Sequence, residues 1–435
     1  MKRQRAWIGG SILALAIAVL GSDSAVDTAQ SFTIPTACAN PALCASLCGG
    51  FVEQGRTEGD FVRLASYQLG APQPMDLPAA TLSTPAPVDP KNVYAGAGAG
   101  MFSPAVAGQL SRVYSPNLIT GKVDVIDPDT FKVIDSLDAI PSPQHIVPSW
   151  DLQTLWVSGD LSYRGGHADV APIDPKTGKV GKPIDVPDSY NLYFTPDGRS
   201  AIMVAEAMRR LEFRDPHTMA LQGYIATPRC PGINHADFAP DGSYAIFTCE
   251  FGDALAKIDL VHHTLAGMLA LTPGGMPQDI RVSPDGSVFF VADLLKDGLV
   301  LVAGDSFREI GFIKTGVGAH GLYPSRDGTK LYVSNRGTHN IAGVRNGQGS
   351  VSVVDMTSPR VLATWTIPGG GSPDMGNISA DGKWLWLSGR YDGVIYAFDT
   401  DDGSVKTIPV GGMPHGLTVW PQPGRYSLGH TGVMR

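Results

Sequence analysis

The stretch GVGAHGLYPSRDGTKLYVSNRG, residues 316–337, decides how the rest of the chain is read. Two short apolar runs flank the pair Asp327 and Gly328. Asp-Gly between such runs predicts a tight hairpin, because glycine supplies the positive φ that the connection requires. The flanking runs alternate in polarity and are rich in Leu, Tyr and Val, as half-buried strands are. Related stretches recur as PSWDLQTLWVSGD (148–160), TPDGRSAIMVAEA (195–207), APDGSYAIFTCEF (239–251), SPDGSVFFVADL (283–294) and SADGKWLWLSGR (379–390). VWPQPGRYSLG (419–429) reads as a worn seventh copy.

Each hairpin is followed by a third run that tends to end in aspartate, as in KVDVIDPDT (122–130), SVSVVDMTS (350–358) and VIYAFDTDDG (394–403). A weaker fourth run follows, as in FKVIDSL (131–137) and VLATWTI (361–367). The period is about 41 to 54 residues. Four strands at that period predict a β-propeller blade. Seven first strands begin near residues 145, 191, 235, 279, 320, 374 and 415. The earliest second strand, RVYSPN (112–117), has no first strand before it, and the last first strand, HGLTVWP (415–421), lacks three strands after it. The chain ends therefore complete one another, giving an all-β, seven-bladed propeller closed by pairing the C-terminal inner strand with N-terminal strands. Closure removes the open sheet edges that a row of blades would expose.

The stretch HGLYPSRDGTKLYVSN (320–335) resembles the repeat signature of the YVTN-repeat family of seven-bladed propellers. Tyr332, Val333, Ser334 and Asn335 stand where that family's name tetrad falls, and the ending VSVVD (351–355) fits as well. The resemblance covers about residues 105–430 and implies the fold. It implies no single activity, since the family includes binding proteins and surface-layer components.

Composition agrees with an all-β reading: 43% hydrophobic and 17% charged residues, with 52 Gly and 34 Pro. The net charge is −8 and no basic stripe is visible, which argues against nucleic acid as a partner. Residues 1–25 combine Lys2, Arg3 and Arg5 with an apolar run and then small residues. This is the pattern of a secretory signal peptide, so the mature chain is expected in the periplasm, the extracellular space or the cell envelope, without a transmembrane span after cleavage. Residues 26–104 are a Pro/Ala-rich extension with a Cys cluster, expected to be a linker or a strap over the propeller of residues 105–435. Export permits disulfides among the five cysteines. Cys38, Cys44 and Cys48 match no zinc spacing and favour a local disulfide. Cys230 and Cys249 lie within one repeat and either pair or leave Cys249 free as a ligand.

Aligning the repeats on the turn aspartate places a polar residue ahead of every inner strand: His145, Asn191, His235, Asp279, His320, Asp374 and His415. In a propeller these positions ring one mouth of the central channel. Glu206, Glu250, Asp293, Asn335 and Arg390 end second strands at the same mouth, Arg336 follows Asn335, and loops there carry His167 and His339. Arg209 and Arg210 follow Glu206 and either bind an anion or pair with nearby carboxylates. His217, His262 and His263 map to the other face or an outer strand, and His430 has no repeat position. Channel mouths are wet, so such residues often do no more than satisfy backbone groups and water. Neutral imidazoles with one or two carboxylates also suit a transition metal.

The metal reading takes His145, His235, His320 and His415 as ligands, with Asp279 and Asp374 as ligands or general bases. It favours copper, with iron or zinc as alternatives, and a metal-dependent oxidoreductase if the chain is an enzyme. The remaining polar residues and Cys249 would contact a small polar ligand. The competing expectation is a non-catalytic envelope propeller that recognises a protein, a glycan or a cell-wall component. No Gly-x-Ser-x-Gly elbow, Cys-x-x-Cys-His motif or P-loop is present.

Overall fold

In the recurring turn, a hydroxyl two residues before the aspartate donates to its carboxylate: Thr195 to Asp197 (2.7 Å), Ser283 to Asp285 (2.6 Å), Ser325 to Asp327 (2.5 Å) and Ser379 to Asp381 (2.6 Å). The same oxygens accept the N–H that opens the second strand, as Ser325 does from Lys330 at 2.9 Å. The turn is thus closed by side chains as well as by backbone. PSWDLQT keeps the device through Ser149 and Asp151 (2.6 Å), with Leu152 at φ 64° where other copies have glycine. The aspartate ending a third strand caps the following turn: Asp127 accepts from Asp129 and Thr130, and Asp355 from Thr357 and Ser358.

These units assemble into a seven-bladed propeller in the computed structural model, which describes residues 79–80, 83–160 and 168–435. The expected signal peptide, Cys38, Cys44, Cys48 and His167 lie outside the described residues. Numbering blades by their inner strands gives Pro143–Pro148, Asn191–Phe194, Ile233–Phe238, Pro277–Val282, Ala319–Pro324, Pro373–Ile378 and Thr418–Trp420 for blades 1 to 7. Blade 7 joins the two chain ends, because Thr418–Trp420 pairs antiparallel with Arg112–Asn117, followed by Lys122–Asp127 and Lys132–Asp138. Six sheets have four strands. Blade 1 has three, and its expected fourth strand survives only as the bridges Val170–Ile184 and Ile173–Val180. Pro183 and Pro187 lack the N–H that a ladder needs.

Apolar clusters fill the spaces between blades, such as Phe289, Phe290 and Val291 of blade 4 against Leu322, Leu331 and Val333 of blade 5. Cys230 and Cys249 form a disulfide in blade 3, which removes Cys249 as a candidate ligand. No helix among the described residues is long and apolar enough to cross a membrane.

VWPQPGRYSLG does not build another hairpin, contrary to the repeat reading. After Trp420 the chain turns back and enters the channel from the mouth where the inner strands end. It forms a narrow loop closed by the bridge between Ser427 and Met434. Phe194 N–H donates to Leu428 O (3.0 Å) and His430 N–H to Leu192 O (2.8 Å), so the loop pairs with the inner strand of blade 2. On the far wall, Thr431 O accepts from Asn377 of blade 6 and from Thr418 of blade 7 (2.6 Å). Arg435 reaches Asp237 of blade 3 at 2.5 Å. The tail is therefore a plug held from both sides. Residues from 83 onward strap the same face: Tyr94 donates to Val282 O (2.6 Å), Arg435 lies 5.2 Å from its ring, and Phe102 bridges Gly424.

Gly429 makes this approach feasible. Its φ is 101°, and a Cβ there would lie 2.5 Å from both Leu192 O and Tyr193 Cα. Gly429→Ala is expected to lower the unfolding free energy by more than about 1 kcal/mol, read from the urea midpoint; an unchanged midpoint would show that the tail does not seat here.

Candidate metal centre

Five of the seven polar residues flagged by repeat alignment lie at irregularities of the inner strands, whereas Asn191 opens a regular strand and His415 precedes the strand of blade 7. In blade 3, Ile233 pairs with Cys249 and Ala236 with Phe247, so Asn234 and His235 together oppose Thr248. The same two-against-one bulge places Gln278–Asp279, His320–Gly321 and Asp374–Met375. A bulge bends the strand and re-aims its side chains. Small hydroxyl residues on the second strands latch it. Thr248 Oγ1 accepts from His235 N–H (3.1 Å), Ser334 Oγ accepts from Gly321 N–H (2.8 Å) and donates to Asp374 O (2.6 Å), and Ser388 Oγ accepts from Met375 N–H (3.2 Å). The serine of the tetrad at 332–335 thus fixes the residues that form the site.

The site is not the wet mouth expected from the sequence. His145, His235, His415, Asp279 and Asp374 have 0% exposure and His320 has 3%. The reason is the tail, which brings His430, also 0% exposed, into the channel beside them. Five imidazoles now pack together. Ring centroids are separated by 4.7 Å for His235–His430, 5.0 Å for His145–His415, 5.4 Å for His145–His430, 5.9 Å for His145–His235, 6.1 Å for His320–His415 and 6.2 Å for His235–His320.

Wall groups bond Nδ1 in four of the five rings and approach it in His320. His145 Nδ1 lies 3.0 Å from Tyr190 O. His415 and His320 direct Nδ1 to the two oxygens of Asp374, at 2.7 and 2.9 Å. Asn191 Nδ2 faces Nδ1 of His430 (3.0 Å) and of His235 (3.3 Å), while its oxygen accepts from Leu192 N–H (2.8 Å). Nε2 of His145, His235, His415 and His430 is buried without a hydrogen-bond partner. The tautomers follow. Tyr190 O and Asp374 need donors, so His145 and His415 carry the proton on Nδ1 and a bare lone pair on Nε2. The Asn191 amide donates, so His235 and His430 accept at Nδ1 and carry the proton on Nε2.

The two carboxylates differ. Asp374 accepts from Arg336 Nε (2.7 Å) and from His415 Nδ1 (2.7 Å), with His320 Nδ1 2.9 Å from Oδ1. Burial pushes its carboxyl up, but Arg336, His320 and His415 outweigh burial and hold it well below the usual range. Both Asp374 oxygens face wall groups, Oδ1 toward Arg336 and His320 and Oδ2 toward His415. Asp279 pairs with Arg281 (2.6 Å) and accepts from Ile280 and Leu322 N–H. Burial still pushes it up to about 6. Its Oδ2 stands 4.0 Å from His430 Nε2. His235, Asp279 and His430 offer ligand atoms all within 4.8 Å of one another, so this trio can hold a metal ion.

Other expected residues do not join the cluster. Asp293 caps the N–H groups of Met276, Leu295 and Lys296. Asn335 bonds Thr315, Gly316, Ser350 and Ser352. His339 is half-exposed and pairs with Asp297 at 2.5 Å. Arg210 pairs with Glu212 inside blade 2 rather than facing the mouth. Glu206, Glu250 and Arg390 are buried, and Glu250 accepts from Asn234 (2.9 Å). Repeat alignment missed His430. Its one sequence signal is the glycine on each side of the His-Thr pair, Gly429 and Gly432, which marks a tight turn.

The chain belongs to the YNCE-like beta-propeller family, whose model matches residues 109–423. A search of curated proteins found no match. Among solved structures it is similar to the Pseudomonas aeruginosa periplasmic gluconolactonase PpgL, at 18% identity and TM-score 0.57 over 71% of this chain and 98% of that one. A putative 6-phosphogluconolactonase from Bacteroides fragilis matches at 16% identity and TM-score 0.55 over 73% and 99% of the two chains. The dihydro-heme d1 dehydrogenase NirN matches at 15% identity and TM-score 0.53 over 85% and 87%. These likenesses establish the shared fold.

Burial keeps the imidazoles neutral: it lowers His145 to about 3 and His320 to about 4, and holds His235, His415 and His430 well below 6.5. In the unfolded chain they ionise near 6.5, so their contribution to stability is full above that pH and is lost as pH falls toward the folded values. Between pH 7 and 5 His145 and His320 should each remove about 2 kcal/mol. Asp279, raised in the fold, acts with the opposite sign and offsets part of this. Urea titrations of the metal-free protein are expected to show falling stability from pH 7 to 5. Stability that rises over that interval would contradict the buried, neutral cluster.

Proposed function

We propose that this chain is an exported metalloprotein that holds a transition metal in its propeller channel, for redox or metal-assisted chemistry on a small molecule. The observation that carries the reading is the set of five dry imidazoles, of which His145, His235, His415 and His430 have Nδ1 bonded and Nε2 unpartnered. Ligating histidines have the other nitrogen fixed by a neighbouring group, as the Tyr190 carbonyl, the Asp374 carboxylate and the Asn191 amide do here. Buried polar nitrogens without partners are costly in a site that serves packing only. A solvated binding face would not need them, so the scaffold alternative leaves the cluster unexplained.

His235, Asp279 and His430 are assigned as the ligands of this ion. Loading it there through Nε2 moves the proton of each neutral imidazole from Nε2 to Nδ1, because the ligating nitrogen must be bare. It also requires the Asn191 amide to turn its oxygen toward the two Nδ1–H groups. Copper is favoured, because imidazole sites bind it most tightly among divalent first-row ions. Iron and zinc are the alternatives. Export rests on the signal-like residues 1–25 and agrees with the Cys230–Cys249 disulfide, which forms and persists in oxidising compartments.

The test is elemental mass spectrometry of the mature protein, exported and purified without chelators. At least one equivalent of copper, iron or zinc is expected, and His430→Ala should lose it with the β-sheet circular dichroism unchanged. A parent chain that stays metal-free after reconstitution would defeat the proposal. Asn191→Ala removes the amide that faces Nδ1 of both assigned histidine ligands, His430 and His235. The expected loss in metal affinity is about 10- to 100-fold, measured by competition with a chromophoric chelator.

A further inference from the structure

The cluster contains more ligand groups than one ion uses. A transition ion at His235, Asp279 and His430 leaves His145, His320 and His415 on the opposite side. His145 and His415 differ from the trio in their proton placement. Their Nδ1–H groups are fixed by Tyr190 O and Asp374 Oδ2, so their Nε2 lone pairs are already bare, at 0% exposure and without a partner. No amide has to turn and no proton has to move between ring nitrogens before an ion binds there. Their ring centroids are 5.0 Å apart. Two imidazoles on one tetrahedral ion, with metal–nitrogen bonds of about 2 Å, have centroids about 5 Å apart. The wall also fits. Gly416 follows His415, and a Cβ there would lie 2.2 Å from His145 Cδ2, so glycine clears the space in which the two rings meet. His320 stands beside His415, held by the same carboxylate.

We infer that the channel binds two transition-metal ions: one at His235, Asp279 and His430, the second at Nε2 of His145 and His415, with His320 as the adjoining imidazole. This rests on the metal reading above and extends it. His145 packs against both His430 and His235, at 5.4 and 5.9 Å between centroids. The two positions are therefore neighbours, as the ions of paired-metal sites are. Such a pair exchanges electrons or bridges a small ligand in a way that one ion cannot.

The experiment uses copper(II) as the probe. Metal-free protein is titrated with it, excess is removed, and bound copper is counted by mass spectrometry. The expected result is two ions per chain in the parent, one in a His145→Gln, His415→Gln double variant and one in His430→Gln. Electron paramagnetic resonance of the loaded parent should show the half-field transition of a coupled pair, absent from both variants. The parent count and its spectrum stand even where a variant fails to fold. Saturation of the parent at one ion would overturn the second position while leaving the single-ion reading intact. Two ions without coupling, or with a count unchanged in the folded double variant, would place the extra ion elsewhere and also overturn it. No bound copper in the parent would defeat both readings.

Discussion

The centre of this molecule depends on the backbone pairing between the C-terminal tail and the inner strand of blade 2. His430 N–H donates to Leu192 O and Phe194 N–H to Leu428 O, and Gly429 permits the approach. Without that insertion the channel would be a wet tunnel lined by seven polar residues. With it, water is displaced, a fifth imidazole is added, and every polar group in the layer must find its partner inside the protein. The strap around Tyr94 and the ion pair between Arg435 and Asp237 hold the tail from the outside.

A dry layer of imidazoles and carboxylates would be unstable if each group had to stand by itself. The two aspartates are paired with arginines, Asp374 with Arg336 and Asp279 with Arg281, so the buried charges come as neutralised units. The histidines remain neutral because protonation in this surrounding is expensive. Their Nδ1 atoms are spoken for, and what remains is a set of Nε2 atoms with nothing to bond. That unmet bonding capacity at Nε2 of four neighbouring rings distinguishes the layer from an ordinary packed channel.

The repeat supports the site as well as the fold. Each second strand contributes a small residue opposite the bulge, and Thr248, Ser334 and Ser388 bond the bulged backbone through their hydroxyls. Ser334 is part of the tetrad at residues 332–335 and also bonds the backbone that carries Asp374. Asn335 beside it satisfies the blade's own turn and strand groups, so two neighbours of one motif serve different ends.

The sequence by itself determined the blades. Asp-Gly turns, alternating runs and the unmatched strands at residues 112–117 and 415–421 fixed the number of blades and the closure, because these are local signals repeated at a regular period. It also determined the identity of the seven wall residues, since repeat alignment compares like positions. Only the tertiary structure decided that these residues are dry, that bulges carry those of blades 3 to 6, and that Asp374 lies against Arg336, His320 and His415. It alone assigned His430, which belongs to no repeat and meets its partners across more than two hundred residues of chain, as in its bond to Asn191. Burial and proton placement depend on what fills the channel, and what fills it is a tail whose path is set by contacts with blades far away in sequence.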